Sequence, residues 1–195
     1  MANTEFPAIE TSRLLLRPME LGDAPAIYAY RSDAEIYRYM SPEPPASLDA
    51  VAESIRHWLE LGADDRPLPW VIVLKETGCV AGVIGLDHLN RAHSEGWLTY
   101  ELARELWGKG IVTEAVRAVL GYGLGTLGLN RIGAYCWDGN VASQRVMEKA
   151  GMHYEGTLRQ IRFAKGAYRD LRYYSMLAGE WRADLGGNPG QPQRP

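Results

Sequence analysis

The segment that most constrains this chain is Tyr100-Glu101-Leu102-Ala103-Arg104-Glu105-Leu106-Trp107-Gly108-Lys109-Gly110-Ile111-Val112-Thr113-Glu114-Ala115. Residues 95–103 alternate as a strand does. Gly96, Leu98, Tyr100 and Leu102 share one face, and Trp97, Thr99 and Glu101 share the other. Beyond the glycines, Val112, Val116, Val119 and Leu120 recur at helical spacing, which predicts a helix over residues 110–124. The period thus switches across a turn that holds Gly108 and Gly110. Both let the backbone bend sharply and approach a ligand with no Cβ in the way. Free amides at a helix start point outward, and the helix dipole favours an anion there. A pyrophosphate suits such a turn; Lys109 adds a point charge and Thr113 a hydroxyl. The spacing matches neither the nucleotide P-loop nor the dinucleotide fingerprint. Taken alone, the turn also reads as a tight bend with a helix cap.

The rest of the chain alternates around this unit. Residues 13–19 predict a strand centred on Leu14, Leu15 and Leu16. Asp23 and Pro25 predict the start of a helix reaching Ser32. Residues 41–45 hold three prolines and break structure. Ser47 then caps a helix whose apolar positions are Val51, Ile55, Trp58 and Leu59. Residues 62–69 predict a loop. Residues 70–75 and 79–86 predict a hairpin turning at Thr77 and Gly78. Gly125 and Gly128 end the long helix, and residues 131–137 predict a strand. Asn140 caps a helix that Gly151 terminates, and two strands, 154–163 and 168–177, close the order with a turn at Lys165 and Gly166. This β-α-α-β-β-β-α-β-α-β-β order implies an α/β or α+β fold with a single mixed central sheet flanked by about four helices. One domain over residues 1–182 is expected, followed by a disordered tail, 183–195, rich in Gly, Pro and Gln.

Composition removes several classes of function. The 195 residues carry a formal net charge of −3, which gives no electrostatic case for nucleic acid. Cys79 and Cys136 fit neither a disulfide framework nor a zinc site, and the four histidines form no metal-ligand pattern, so no metal is expected. No apolar run is long enough to span a bilayer. Residues 1–7 lack the basic and apolar regions of a signal peptide, so a cytoplasmic protein is expected.

A second cluster is Asn140-Val141-Ala142-Ser143-Gln144-Arg145-Val146-Met147-Glu148-Lys149-Ala150-Gly151. It reads as a capped helix with a polar first turn. The two clusters together resemble the acetyl-CoA-binding motifs of the GNAT superfamily of N-acetyltransferases. The Trp107-Gly108-Lys109-Gly110…Thr113-Glu114-Ala115 version is similar to the RimJ/RimL-type branch, which acetylates protein N-termini. Glu10-Thr11-Ser12-Arg13-Leu14-Leu15-Leu16-Arg17-Pro18, Gly22-Asp23-Ala24, Glu155-Gly156-Thr157-Leu158-Arg159 and Tyr168-Arg169-Asp170 also fit that branch in order. The resemblance spans about residues 9–181.

It implies that Trp107, Gly108, Lys109, Gly110, Ile111, Val112 and Thr113 hold the pyrophosphate of acetyl-CoA, largely through backbone amides. The strand before them splays from its neighbour, so that backbone around Tyr100 to Ala103, with Leu102 and Ala103 foremost, meets the pantetheine arm. The Leu102 amide would polarise the thioester carbonyl. Asn140 matches a CoA-contacting asparagine, and Ser143 a serine near the CoA sulfur, here the expected acid for the departing thiolate. Many relatives use a tyrosine seven positions after the asparagine; here that position is Met147, which has no proton to give. Glu101 is the expected base, acting through water, although it also reads as a salt-bridged glutamate. The glutamate of RimL-type enzymes falls at Arg162, so that role does not carry over. Glu155 and His88 are weaker bases. Cys136 has no histidine partner in the sequence, and no acyl-enzyme is expected.

The acceptor pocket is expected between the first two helices and the last hairpin, near Tyr28, Tyr30, Tyr37, Tyr39, Trp58, Tyr168 and Tyr174. The implied reaction moves acetyl from acetyl-CoA to a primary amine, foremost an α-amine of a protein or peptide. Small-molecule amines, another acyl group such as succinyl, and a CoA-binding sensor without turnover remain alternatives. Homodimers are common in such families, but no interface signature stands out.

Overall fold

The computed structural model describes residues 7–60 and 68–184. The tail at 185–195, most of the loop at 62–69 and the opening residues 1–6 lie outside them. Eight strands form one sheet in the order β1-β2-β3-β4-β5-β6-β8-β7. They are β1 (Ile9–Glu10), β2 (Leu14–Pro18), β3 (Leu68–Leu74), β4 (Val80–Asn90), β5 (Glu95–Leu102), β6 (Arg131–Trp137), β7 (His153–Ala164) and β8 (Ala167–Leu177). The helices are α1 (Ala24–Arg31), α2 (Leu48–Glu60), α3 (Ile111–Gly121), α4 (Val141–Lys149) and α5 (Ala178–Asp184). The single mixed sheet stands as expected. Two elements were not legible: β1, only two residues long, and α5, which runs past the expected boundary at residue 182.

Helices cover both faces of the sheet, so the central strands read as unbroken apolar runs. On β3, Trp70 and Ile72 pack under α3, while Val71 and Val73 pack under α1 and α2. Val112, Val116, Val119 and Leu120 are all buried, as the helical spacing of α3 predicts. Val51 and Ile55 of α2 are buried on the opposite face. Regular helix ends at Gly121, and the chain widens through a π-type turn at Tyr122–Thr126. Asp23 stands at the α1 N-cap without capping it. Its carboxylate instead takes both guanidinium nitrogens of Arg17, at 2.9 and 2.6 Å. Lys165 and Gly166 both have positive φ, the conformation a two-residue hairpin turn requires.

All neighbouring strands are antiparallel except β5 and β6, which the α3 crossover joins in parallel. That pair holds only where Glu95, Gly96 and Trp97 face Arg131, Ile132 and Gly133. Beyond it β5 stays paired with β4, and β6 with β8. The sheet therefore opens between two strands that each keep one partner. On its closed side β5 lies tight against β4. A Cβ on Gly82 would stand 2.3 Å from the Glu101 carbonyl oxygen.

Gly82→Ala should therefore cost about 1–3 kcal/mol, as overpacking does. Gly125→Ala, where an added Cβ meets nothing within 4 Å, should be close to neutral. Denaturant midpoints of the two variants check this, and equal midpoints would show that the β4–β5 contact relaxes at no cost.

Candidate active site

A cavity of about 530 Å³ occupies the opening between β5 and β6. Tyr100, Glu101 and Leu102 of β5 line it, and so do Trp107, Gly108, Gly110 and the first turn of α3. Asn140, Ser143, Arg145, Val146 and Lys149 enter from α4, and Glu35, Arg38, Tyr39 and Met40 from the segment after α1. A second, more open hollow of about 900 Å³ lies beyond the glycine turn, lined by Arg13, Lys109, Glu114, Arg117 and Lys149. It shares Gly108, Gly110 and Thr113 with the first cavity.

The glycine turn has the form an anion needs. Gly108 and Gly110 sit at φ 75° and 74°, which an L side chain rarely tolerates. A Cβ on Gly108 would meet no protein atom within 4 Å; it would point into open space. The amide of Glu114 bonds the Gly110 carbonyl at 3.1 Å, so the amides just before it have no place in the helical ladder. Ile111, Val112 and Thr113 follow at the cavity edge, the first two with buried side chains. Trp107 is half exposed, and its ring N–H donates to the Leu102 carbonyl at 2.9 Å. Lys109 faces the second hollow, and its carbonyl accepts from Arg13 at 3.0 Å.

The open edge of β5 supplies a further donor. Ala103 gives its amide to the Ala81 carbonyl of β4 at 2.8 Å. Strand amides alternate between edges, so the Leu102 amide faces the opening. The same bond corrects the expectation for Ala103. Its amide is spent, its carbonyl accepts from Leu106, and its side chain is buried against the α1–α2 core. Ala103 does not line the cavity.

The expected catalytic residues come together, each with a partner. Asn140 caps α4 by accepting the Ser143 amide at 3.1 Å. The Ser143 hydroxyl lies 2.7 Å from the Tyr100 hydroxyl. Burial pushes Tyr100 above the ordinary tyrosine range, so it stays protonated. Glu101 takes the Tyr30 hydroxyl at 2.5 Å and the Arg31 Nε at 2.7 Å, both on Oε1. It is thus an ion-paired glutamate that also lines the cavity. Burial holds the Cys136 thiol up at about 11, unsuited to nucleophilic work. Met147 is core. Among the described residues, no three His, Cys, Asp or Glu side chains are grouped as a metal site would group them.

The weaker base candidates lie elsewhere. His88 is exposed beside a bulge of β4, and Arg162 is exposed on β7. Glu155 is locked by Arg131 at 2.6 Å on both oxygens and by the Ser175 hydroxyl at 2.7 Å, which hold it at about 2. Of the aromatics expected around the acceptor, only Tyr39 lines the cavity. Tyr30 and Tyr37 are buried behind it, Tyr28 and Trp58 pack on the α1–α2 core, Tyr174 is core and Tyr168 is exposed.

The family model described as acetyltransferase (GNAT) domain matches residues 13–153, a span that carries the glycine turn, Asn140 and Ser143. The chain belongs to the GNAT acetyltransferase family. As a GNAT protein it is an acetyl-CoA-dependent N-acyltransferase. Its relatives include the uncharacterised N-acetyltransferase YoaA of Bacillus subtilis (strain 168), 36% identical over 88% of this chain and 97% of that protein. A protein from the same organism, YdaF, provisionally named a ribosomal N-acetyltransferase, is 32% identical over 73% of this chain and 77% of its own length. The spermidine N(1)-acetyltransferase of Vibrio cholerae is 25% identical over 87% and 96%. The crystal structure of a GNAT-family acetyltransferase from Bacillus anthracis superposes with a TM-score of 0.79 at 27% identity, covering 88% of this chain and 99% of that one.

This GNAT chain ties its glycine turn to the short connection between β1 and β2. Glu114, in the first turns of α3, receives the Thr11 hydroxyl at 2.6 Å, the Arg13 amide at 3.0 Å and the Arg13 Nε at 2.6 Å. Partial burial pushes the Glu114 carboxyl up, but these bonds and one from Ser12 outweigh it and hold the group at about 2. The unfolded reference for a glutamate is about 4.3. The folded value is depressed, so this stabilisation is full above the unfolded value and fades as pH falls toward 2. The stability gap between the wild type and Glu114→Gln should shrink steadily from pH 5 to pH 2. A gap that stays constant would mean the carboxylate charge contributes nothing.

Proposed function

We propose that the protein acetylates the α-amino group of a peptide or protein N-terminus. The observation that carries this reading is the pairing of the cavity's carboxylates. Among the described residues that line it, only Glu35 and Glu101 are acidic. Glu101 is bound by Arg31 at 2.7 Å, and Glu35 faces Arg38 at 3.5 Å. Such a cavity gives a polycation little to hold. An α-amine near pKa 8 also reaches its neutral, attacking form more readily than a lysine or polyamine amine near 10.4. The resemblance to the RimJ/RimL branch and the name of YdaF agree with this reading. The spermidine relative keeps small amines as the competing class.

The residues present fit acetyl-CoA. The amides from Gly108 to Thr113 would cradle its pyrophosphate, and Lys109 would add positive charge. Asn140 shapes the start of α4 beside the pantetheine arm. When bound, acetyl-CoA supplies the thioester carbon that the amine attacks. The Leu102 amide stabilises negative charge on the carbonyl oxygen. Glu101 receives the amine proton through water. Ser143, which lines the same cavity, would donate a hydrogen bond to the departing sulfur.

Thermal unfolding comes first. At acetyl-CoA about 100 times its dissociation constant, the wild type should gain about 2.7 kcal/mol, a rise of roughly 5–10 °C at this size. Gly108→Val should abolish that rise, because its side chain would fill the open space at the turn. Release of the CoA thiol should then be faster with N-terminal tripeptides than with spermidine or Nα-blocked lysine peptides. A preference for spermidine would overturn the α-amine reading; cofactor binding with no turnover on any amine would favour a sensor. Glu101→Gln should lower kcat/KM about tenfold or more near neutral pH, and an unchanged rate would remove Glu101 as proton acceptor.

A further inference from the structure

We infer that Tyr100 is a positioning residue for the reaction, its hydroxyl aiming the Ser143 proton at the leaving sulfur. The inference rests on the reading of Ser143 as donor to that sulfur and goes beyond it by assigning the group that controls the donor.

Three observations lead here. Tyr100 sits on β5, on the face that packs against the core beside α3 and α4. Its ring crosses the opening of the sheet, and its hydroxyl reaches only the first turn of α4. There it has two partners on one residue, the Ser143 Oγ at 2.7 Å and the Ser143 carbonyl at 3.3 Å. Ser143 is itself held, because Asn140 takes its amide at 3.1 Å. The Cys136 thiol is a further neighbour of the Ser143 hydroxyl, and within the Tyr100–Ser143 pair what remains free is the direction of two protons.

Two arrangements satisfy the pair. In one, Ser143 donates to Tyr100 and Tyr100 donates to the Ser143 carbonyl. In the other, Tyr100 donates to Ser143 Oγ and the serine proton points into the cavity. Developing negative charge on sulfur selects the second. As the amine nitrogen bonds to the acyl carbon, the carbon–sulfur electron pair passes to sulfur. The serine proton then makes a hydrogen bond to that sulfur. The Tyr100 O–H turns to donate its hydrogen bond to Ser143 Oγ and polarises that oxygen, which strengthens the outward bond. Neither hydroxyl ionises. The proton that finally rests on the CoA thiol is the one the amine gives up, carried by solvent. Burial keeps Tyr100 protonated through the cycle. A phenylalanine would retain the ring and lose only this control.

A double-mutant cycle on CoA-thiol release tests the inference, with acetyl-CoA and an N-terminal tripeptide, or with water as acceptor if no tripeptide reacts. Tyr100→Phe should lower kcat about tenfold, the order of one hydrogen bond, and leave the dissociation constant of acetyl-CoA within about twofold. In a Ser143→Ala background the same substitution should cost nothing more. In a Ser143→Thr background, which keeps a hydroxyl, the penalty should return. A Tyr100→Phe effect that multiplies with Ser143→Ala, or a wild-type rate in Tyr100→Phe, overturns the positioning role while Ser143 stands. A wild-type rate in Ser143→Ala overturns the reading of Ser143 itself, and the inference falls with it. Unfolding midpoints without ligand separate both cases from simple loss of fold.

Discussion

The site depends on the point at which β5 and β6 stop pairing. A backbone amide denied its ladder partner must find another. Past Trp97, the open edge of β5 pairs with no strand among the described residues, and α4 faces the gap, its first turn meeting Tyr100. The open edge of β5, the glycine turn and the start of α4 consequently face one volume. The chain makes this opening cheaply, because each parted strand keeps an antiparallel neighbour on its other side. Gly82 then lets β4 press close enough to hold β5 straight.

Charge is managed by the same economy. Glu101, Glu114, Glu155 and Asp23 each meet an arginine at 2.6 or 2.7 Å. Three of these pairs bind elements distant in the chain, so they act as joints. Glu101 alone also borders the cavity. Its pair with Arg31 is largely buried on both sides, and the loss of either partner would strand a charge. A carboxylate that lines the cavity is thereby held in place more firmly than an unpaired one would be.

Much of the fold was legible in the sequence because the periodicities were strong. The alternation through Leu98, Tyr100 and Leu102 and the stripe through Val112, Val116 and Val119 left little room for other elements. The signal failed where elements are short, as with Ile9–Glu10, or where a polar side chain chose a distant partner, as Asp23 did with Arg17 in place of its cap. In the site, the glycine turn, Asn140 and Ser143 were readable from spacing and resemblance. Ala103 was misread because the edge to which a strand amide points depends on register. Tyr100 was passed over as a polar partner because it occupies a core-facing position. The positive residues Arg145 and Lys149 were readable in principle: with Ala142 and Val146 they repeat at helical spacing along the face that α4 turns to the cavity.

The joint between Arg13 and Glu114 has a consequence for the order in which the molecule is built. Its partners lie 101 residues apart in the chain, and it also fixes the Lys109 carbonyl within the glycine turn. Contacts of such separation form late, after local structure has condensed. During synthesis Arg13 emerges long before its partner and must wait for it. The glycine turn is fixed only when the connection between β1 and β2 docks on it, and that amino-terminal segment works as its latch.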